Sequence, residues 1–148
     1  MCQMPERRKP IMKMIKITTE NQISVHDFPE GSFGEQNQAL RNHIGPKCEL
    51  YEHVMPKRLY SELCGSRQRG NCVSMLIDED GHYHELPENL VASWLYESDK
   101  HGYPILGNVL IVGEKWEGSG ISFCGVPGDQ FDLLFPQLRK LTEEARKI

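Results

Sequence analysis

Apolar residues alternate with polar ones from Met12 to Ile17 and again from Ile23 to Phe28, with Thr19-Glu20-Asn21-Gln22 between them. This pattern predicts an antiparallel hairpin. Ser32-Phe33-Gly34-Glu35 then fits a capping box, in which the serine oxygen and the glutamate three residues on satisfy the first backbone N–H groups of a helix. The predicted helix runs to Ile44, with Phe33, Ala39, Leu40 and Ile44 toward one face, Gly45 as a left-handed cap and Pro46 as the stop. Cys48 to Val54 alternates as a strand that Pro56 ends, and Lys57 to Gly70 is expected to be a short turn of helix and a loop. Cys72 to Ile77 reads as a strand and His82 to Leu86 as its returning partner, joined by an Asp78-Glu79-Asp80-Gly81 turn with Gly81 at positive φ.

Leu90, Val91, Trp94 and Leu95 repeat at helical spacing, so Asn89 or the Pro87 turn opens a short helix that lays its tryptophan on the sheet. Ile105 to Gly113 is the most apolar run in the chain. Rich in Ile, Val and Leu and stopped by Gly113, it reads as the central strand, buried on both faces. Gly118-Ser119-Gly120 turns the chain into a short strand, Ile121 to Cys124. Phe131, Leu134, Phe135, Leu138, Leu141, Ala145 and Ile148 form the stripe of a last helix, with Asp129 or Asp132 as its cap and Pro136 in or near its first turn. The sum is an α+β fold: a mixed, mostly antiparallel sheet of about five to seven strands with two or three helices packed on it and a single core layer. Residues 1–13 are expected to be a mobile tail and residues 14–148 one domain.

Composition agrees with one ordinary globular domain: 148 residues, 39% hydrophobic and 26% charged. The charge is uneven. Met1 to Lys16 carries five basic side chains and one acid, leaving twelve basic and twenty acidic and so a charge of −8 for the rest. Such a body repels phosphate backbones, which argues against general nucleic-acid binding. It suits a basic protein surface, or a role as a nucleic-acid decoy. The five cysteines, Cys2, Cys48, Cys64, Cys72 and Cys124, are odd in number and form no C-x-x-C pair, as expected of reduced thiols in a cytoplasmic protein. No run approaches a membrane span, and no apolar segment follows the basic start.

Candidate chemistry is sparse. His82 and His84 share a strand face opposite Cys72, but no fourth ligand has a recognisable spacing, so no structural metal or other cofactor is expected. His84-Glu85-Leu86-Pro87-Glu88 lacks the second histidine of a zinc-protease helix, and its proline would break that helix. No G-x-S-x-G elbow, dinucleotide fingerprint or P-loop is present, and the expectation is a protein that is not an enzyme. Arg67-Gln68-Arg69-Gly70-Asn71, with Lys57 and Arg58, is the one basic concentration in the body. It is a candidate loop for an anionic ligand. The acids Glu79, Asp80, Glu97, Asp99, Glu114 and Glu117 flank the expected central strand and are candidates for contact with a basic partner surface.

Leu86-Pro87-Glu88-Asn89 and Gly107-Asn108-Val109-Leu110-Ile111-Val112-Gly113, preceded by the Asp78-Glu79-Asp80-Gly81 turn, resemble a family of small proteins of unassigned function carried by phages, plasmids and integrated elements. That family pairs an L-P-x-N opening with a G-N-x-hydrophobic-I-V-G strand, and often has an upstream V-G-G-x-x-E-like turn, here Ile44-Gly45-Pro46-Lys47-Cys48-Glu49. The likeness spans Met14 to Leu138. It departs at Pro46, where the family has its second glycine, and at Lys57 to Asn71, which is longer and more basic. The resemblance implies an accessory protein of mobile elements: a counter-defence inhibitor of the anti-CRISPR kind, binding a host defence protein stoichiometrically in the bacterial cytoplasm. Sequestration of a small anionic ligand such as a cyclic nucleotide is the alternative, and an uncharacterised enzyme a further one. Glu49, Asn89 and Asn108 are the polar positions matching the family pattern and so the candidate ligand contacts. Their structural alternative is a helix cap for Asn89 and a strand-end hydrogen bonder for Asn108.

Overall fold

The computed structural model describes residues 12–59, 73–118 and 120–148. Its central strand is β5 (Val109–Glu117), flanked by β1 (Lys13–Ile17) and β4 (Val73–Asp78). Outside these lie β2 (Ile23–Asp27) next to β1 and β3 (Tyr51–Val54) next to β4, giving the order β2-β1-β5-β4-β3. A sixth strand, β6 (Gly120–Cys124), pairs with the second half of β5. Every pairing among the described residues is antiparallel. Four helices complete the α+β fold: α1 (Phe33–Ile44), α2 (Leu90–Leu95), the single turn α3 (Ser98–His101) and α4 (Gly128–Arg146).

Strand alternation divides the core into two layers where one was expected. Val109 and Ile111 of β5 join Ile15, Ile17, Met75 and Ile77 on the face that receives α2 and α4 through Val91, Leu95, Leu134 and Leu138. Leu110 and Val112 join Met14 and Leu76 on the other face, under Leu40 and Ile44 of α1. With apolar partners above and below, β5 from Val109 to Val112 has no polar face, which is why that stretch is a continuous apolar run rather than an alternation. Each such side chain, fully removed from water, contributes roughly 1.5–3 kcal/mol.

The expected hairpin at the start forms as β1 and β2, with Lys13 opposite Asp27 and Ile17 opposite Ile23. The capping box also forms: Ser32 Oγ accepts from the Glu35 N–H and Glu35 Oε1 accepts from the Ser32 N–H. Other expectations are corrected. Phe33 points outward and is 76% exposed. Gly45 is extended (φ 167°) rather than left-handed, because the chain turns there through a Cys48 N–H to Gly45 C=O bond. That turn delays the following strand to Tyr51. No returning strand follows β4. Residues 79–85 instead wind through a series of turns, with His84 N–H donating to Asp80 C=O and Leu86 N–H to Gly81 C=O. The Asp78 carboxylate organises them, one oxygen accepting from the Asp80 N–H and the other facing His84 Nδ1 at 2.9 Å. The left-handed residue there is Glu85 (φ 55°), not Gly81. Helix α4 starts at Gly128 after Pro127, without a side-chain cap, so neither Asp129 nor Asp132 has that role. Pro136 therefore lies in the helix interior, on the exposed side, where the carbonyl it leaves unbonded meets water. Residues 60–72, with most of the expected basic loop, and the first eleven residues of the tail lie outside the described residues.

Gly113 does not stop β5. It is the position where the strand changes partners: β1 pairs with Val109 to Ile111, and β6 with Gly113 to Glu117. A Cβ at Gly113 would stand 2.5 Å from the Gly125 carbonyl oxygen, and one at Gly125 only 2.1 Å from Met12 Cβ. The junction closes because both residues lack side chains. Gly113→Ala is accordingly expected to cost on the order of 1–3 kcal/mol through overpacking. Gly34→Ala, in helix α1 with nothing near its Cβ position, should stabilise by roughly 0.5–1 kcal/mol. Urea denaturation midpoints of the two variants should move in opposite directions.

Candidate functional site

The two segments singled out in the sequence, residues 86–89 and 107–113, meet in space, bonded through Asn89 and Gly107. Asn89 N–H donates to Ile105 C=O and Gly107 N–H to Pro87 C=O, both at 2.8 Å, and Glu88 forms a bridge with Leu106. Gly107 has φ 87°, and Leu86 packs so closely on it that a Cβ there would lie 2.7 Å from Leu86 Cδ1. Asn89 is fully buried. Its Oδ1 accepts from the Ala92 N–H at 3.0 Å, capping α2, and its Nδ2 donates to the carbonyls of Ile17 and Gly107, each at 3.0 Å. Asn108 is similarly committed: Oδ1 accepts from the Thr19 N–H at 3.1 Å, and Nδ2 donates to the Ile44 carbonyl at 3.3 Å. The sequence suggested a helix cap and a strand-end hydrogen bonder. Both appear here, together with the long-range bonds to Ile17 and Ile44, which local sequence does not reveal.

These ties gather Leu86, Pro87, Gly107, Asn108, Thr19 and the turn from Ile44 to Cys48 around a crevice of about 180 Å³, with Asp78 in its wall. Glu49 is exposed and does not line it, and Asn89 lies beneath the surface. The volume is below the roughly 300–1,000 Å³ usual for small-molecule sites. Cys48 is the one thiol in the lining. Burial first, and then the nearby Asp78 carboxylate, push its pKa up to about 11. It donates instead to the Leu50 carbonyl at 3.5 Å. A thiol held neutral in this way is a poor nucleophile and a poor metal ligand. His84 is bound to Asp78 while His82 is exposed, and no set of three or more potential metal ligands occurs among the described residues.

The six candidate partner-binding acids do not form one patch. Glu79 and Asp80 lie in the turns after β4. Glu97 is paired with Lys100, and Asp99 receives both terminal nitrogens of the buried Arg58 at 2.7 and 2.8 Å. Arg58 also stacks on Trp94 and donates to the Trp94 carbonyl. The Arg58 hydrogen bonds hold the Asp99 carboxyl below its ordinary range. Glu114 accepts from Ser74 Oγ at 2.6 Å and Glu117 pairs with Lys115 at 3.0 Å, at the far end of β5 from Glu79. Arg67 and Arg69 lie outside the described residues.

A larger feature lies beside β6. A groove of about 1070 Å³ separates Ser122 to Gly125 from the segment between Asp27 and Gln36, and Phe28, Phe33 and Phe123 give it an apolar floor and wall. β6 pairs with β5 alone among the described strands, so one of its edges carries no strand partner. The sequence contained the signals for this groove, a short strand after a glycine turn and a phenylalanine at a helix start, but the helical pattern assigned Phe33 to the core.

No family model, curated protein or solved structure matches the chain. Among the described residues no helix is long and apolar enough to cross a membrane.

Asn89→Ala is expected to lower stability by about 3 kcal/mol, roughly 1 from the lost cap and the rest from two carbonyls left without their donor in the core. Chemical denaturation measures it, and a loss near 1 kcal/mol would mean that only the cap matters. For Cys48, a folded-state pKa raised above the unfolded value contributes stability that is full below the unfolded pKa and lost as pH rises from about 9.0 to about 11. Alkylation of Cys48 by iodoacetamide in the native protein should therefore be slow near neutral pH and climb across that alkaline window, as followed by peptide mass spectrometry.

Proposed function

We propose that the protein acts by stoichiometric binding, without turnover, as a mobile-element inhibitor of a host defence protein. The observation that carries this reading is the phenylalanine-lined groove along the edge of β6 that has no strand partner among the described residues. An unpaired strand edge offers main-chain donors and acceptors to an extended segment, and flanking apolar side chains supply contact area, the combination used in strand addition. Phe33 is exposed on a helix end that folds without it, so its position is better suited to a partner than to the core. The acids Asp27, Glu30 and Glu117 border the groove, and the chain body is strongly negative, which suits a basic segment of the kind found on nucleic-acid-binding proteins. Asn89, Asn108 and Glu49 enter this reading as supports of the fold or as bystanders rather than as ligand contacts.

Co-expression with candidate defence systems, followed by titration against the one that is blocked, tests the reading. Inhibition is expected to reach completion near one equivalent of protein per target and to weaken as salt rises. Phe33→Asp combined with Glu30→Lys, both at exposed positions, should lower affinity at least about tenfold while leaving the denaturation midpoint unchanged. Complete inhibition at a small fraction of an equivalent would refute the stoichiometric mechanism, and full activity of the double variant would remove the groove from it.

A further inference from the structure

A second cluster lies on the α1 face of the sheet, made of residues that line neither the groove nor the crevice. Strand register sets Lys16 of β1 opposite Ser24 of β2, and Met14 opposite His26. Alternation turns all four toward α1, where Met14 enters the core, while Ile23 packs into the core of the opposite face. His43, in the last turn of α1, meets His26 with ring centroids 4.7 Å apart and planes inclined by 56°. Ser24 Oγ lies 2.8 Å from His26 Nε2. Lys16, Ser24, His26 and His43 are all half-buried.

Three groups that carry or can acquire positive charge therefore converge, and none of them forms an ion pair with a carboxylate among the described residues. Asp27, the only acid on β2, alternates onto the opposite face and pairs with Lys13. Glu35, the only acid on α1, is held in the capping box two turns from His43. Arg41 of α1 is directed to Gln38. Such a grouping is unexpected in a chain of net charge −4. Burial first, and then the charges of His26 and Lys16, hold the His43 imidazole below its ordinary range. The repulsion among these groups is relieved by a ligand that brings negative charge.

We propose that Lys16, Ser24, His26 and His43 form a binding site for a phosphate-type oxyanion, which fills as the pH falls. The chemistry of the cluster favours an anion over a metal. Two imidazoles invite a divalent cation, but the lysine ammonium opposes it, and His26 Nε2 already faces a hydroxyl. For a phosphate group the same set supplies a fixed cation, a hydroxyl donor and two imidazoles that become donors on protonation. None of its four residues lines the groove beside β6, and it calls for a different ligand.

The test is a pH titration of the full chain followed by long-range proton–nitrogen NMR of the imidazoles, in inorganic phosphate and in chloride at equal ionic strength. Adenosine monophosphate forms a second arm. Phosphate is expected to raise the His43 midpoint by at least about one pH unit, equivalent to roughly tenfold tighter binding to the protonated form. Lys16→Gln should abolish that rise, and Ser24→Ala should reduce it. Equal effects of phosphate and the nucleotide would place recognition on the phosphate group alone, and a larger nucleotide effect would extend it to an organic phosphate; both support the site. An unchanged His43 midpoint in both ligands would overturn the proposal. So would a rise that survives in folded Lys16→Gln, or zinc binding at His26 and His43 where phosphate has no effect.

Discussion

The buried carboxamide of Asn89 ties three parts of the chain to one point. Its oxygen starts helix α2, and its nitrogen grips the end of β1 at Ile17 and the left-handed turn at Gly107. A side chain with one acceptor and two donors is needed, since aspartate would present a second oxygen where donors are required and leucine would satisfy none of the three. The backbone around it completes the arrangement: the ladder between residues 86–89 and 105–107 delivers the chain into β5 at the height where β1 can pair with it. The central strand, and through it both core layers, depends on this one satisfied polar centre. Its burial is affordable only because all three hydrogen bonds are made.

The elements that depend on neighbours in sequence were legible. The first hairpin, the capping box of α1, the asparagine cap of α2 and the apolar core of β5 each arise from short-range patterns that directly encode local geometry. The misreadings arise where something other than local pattern sets the geometry. A side chain can override the local pattern: the Asp78 carboxylate accepts from the Asp80 N–H and engages the His84 ring, and a stretch with the composition of a hairpin becomes a run of turns. Gly113 looked like a terminator because glycine commonly ends strands, whereas its place here is set by the approach of Gly125 and Cys124, which only the tertiary fold reveals. The candidate site was legible to the same degree. The paired motifs do come together, but their asparagines are engaged with backbone, and the open surface lies elsewhere, along β6.

Polar chemistry around the crevice is directed inward. Asp78 is matched by His84 and a backbone N–H, Cys48 is held as a thiol, and Asn108 bridges two loops. The Arg58 guanidinium is divided between Asp99 and the end of α2. By contrast, among the described residues the groove and the Lys16–His43 cluster each leave an interaction unmade, one a strand edge and the other a set of positive charges without acids. Groups of that kind are where a folded chain still has free energy to gain from a second molecule.

The change of partner at Gly113 divides β5 into two mechanical regimes. Up to that residue the strand is clamped on both sides and covered by helices; from Lys115 to Glu117, among the described residues, it is held by β6 alone. A two-stranded ribbon resists twisting far less than a sheet. The wall of the groove is thus anchored at two points, the glycine junction and Phe123, which packs against the layer under α1. Substitutions beyond those points, from Gly120 to Ser122, reach the groove with the least load on the packed layers.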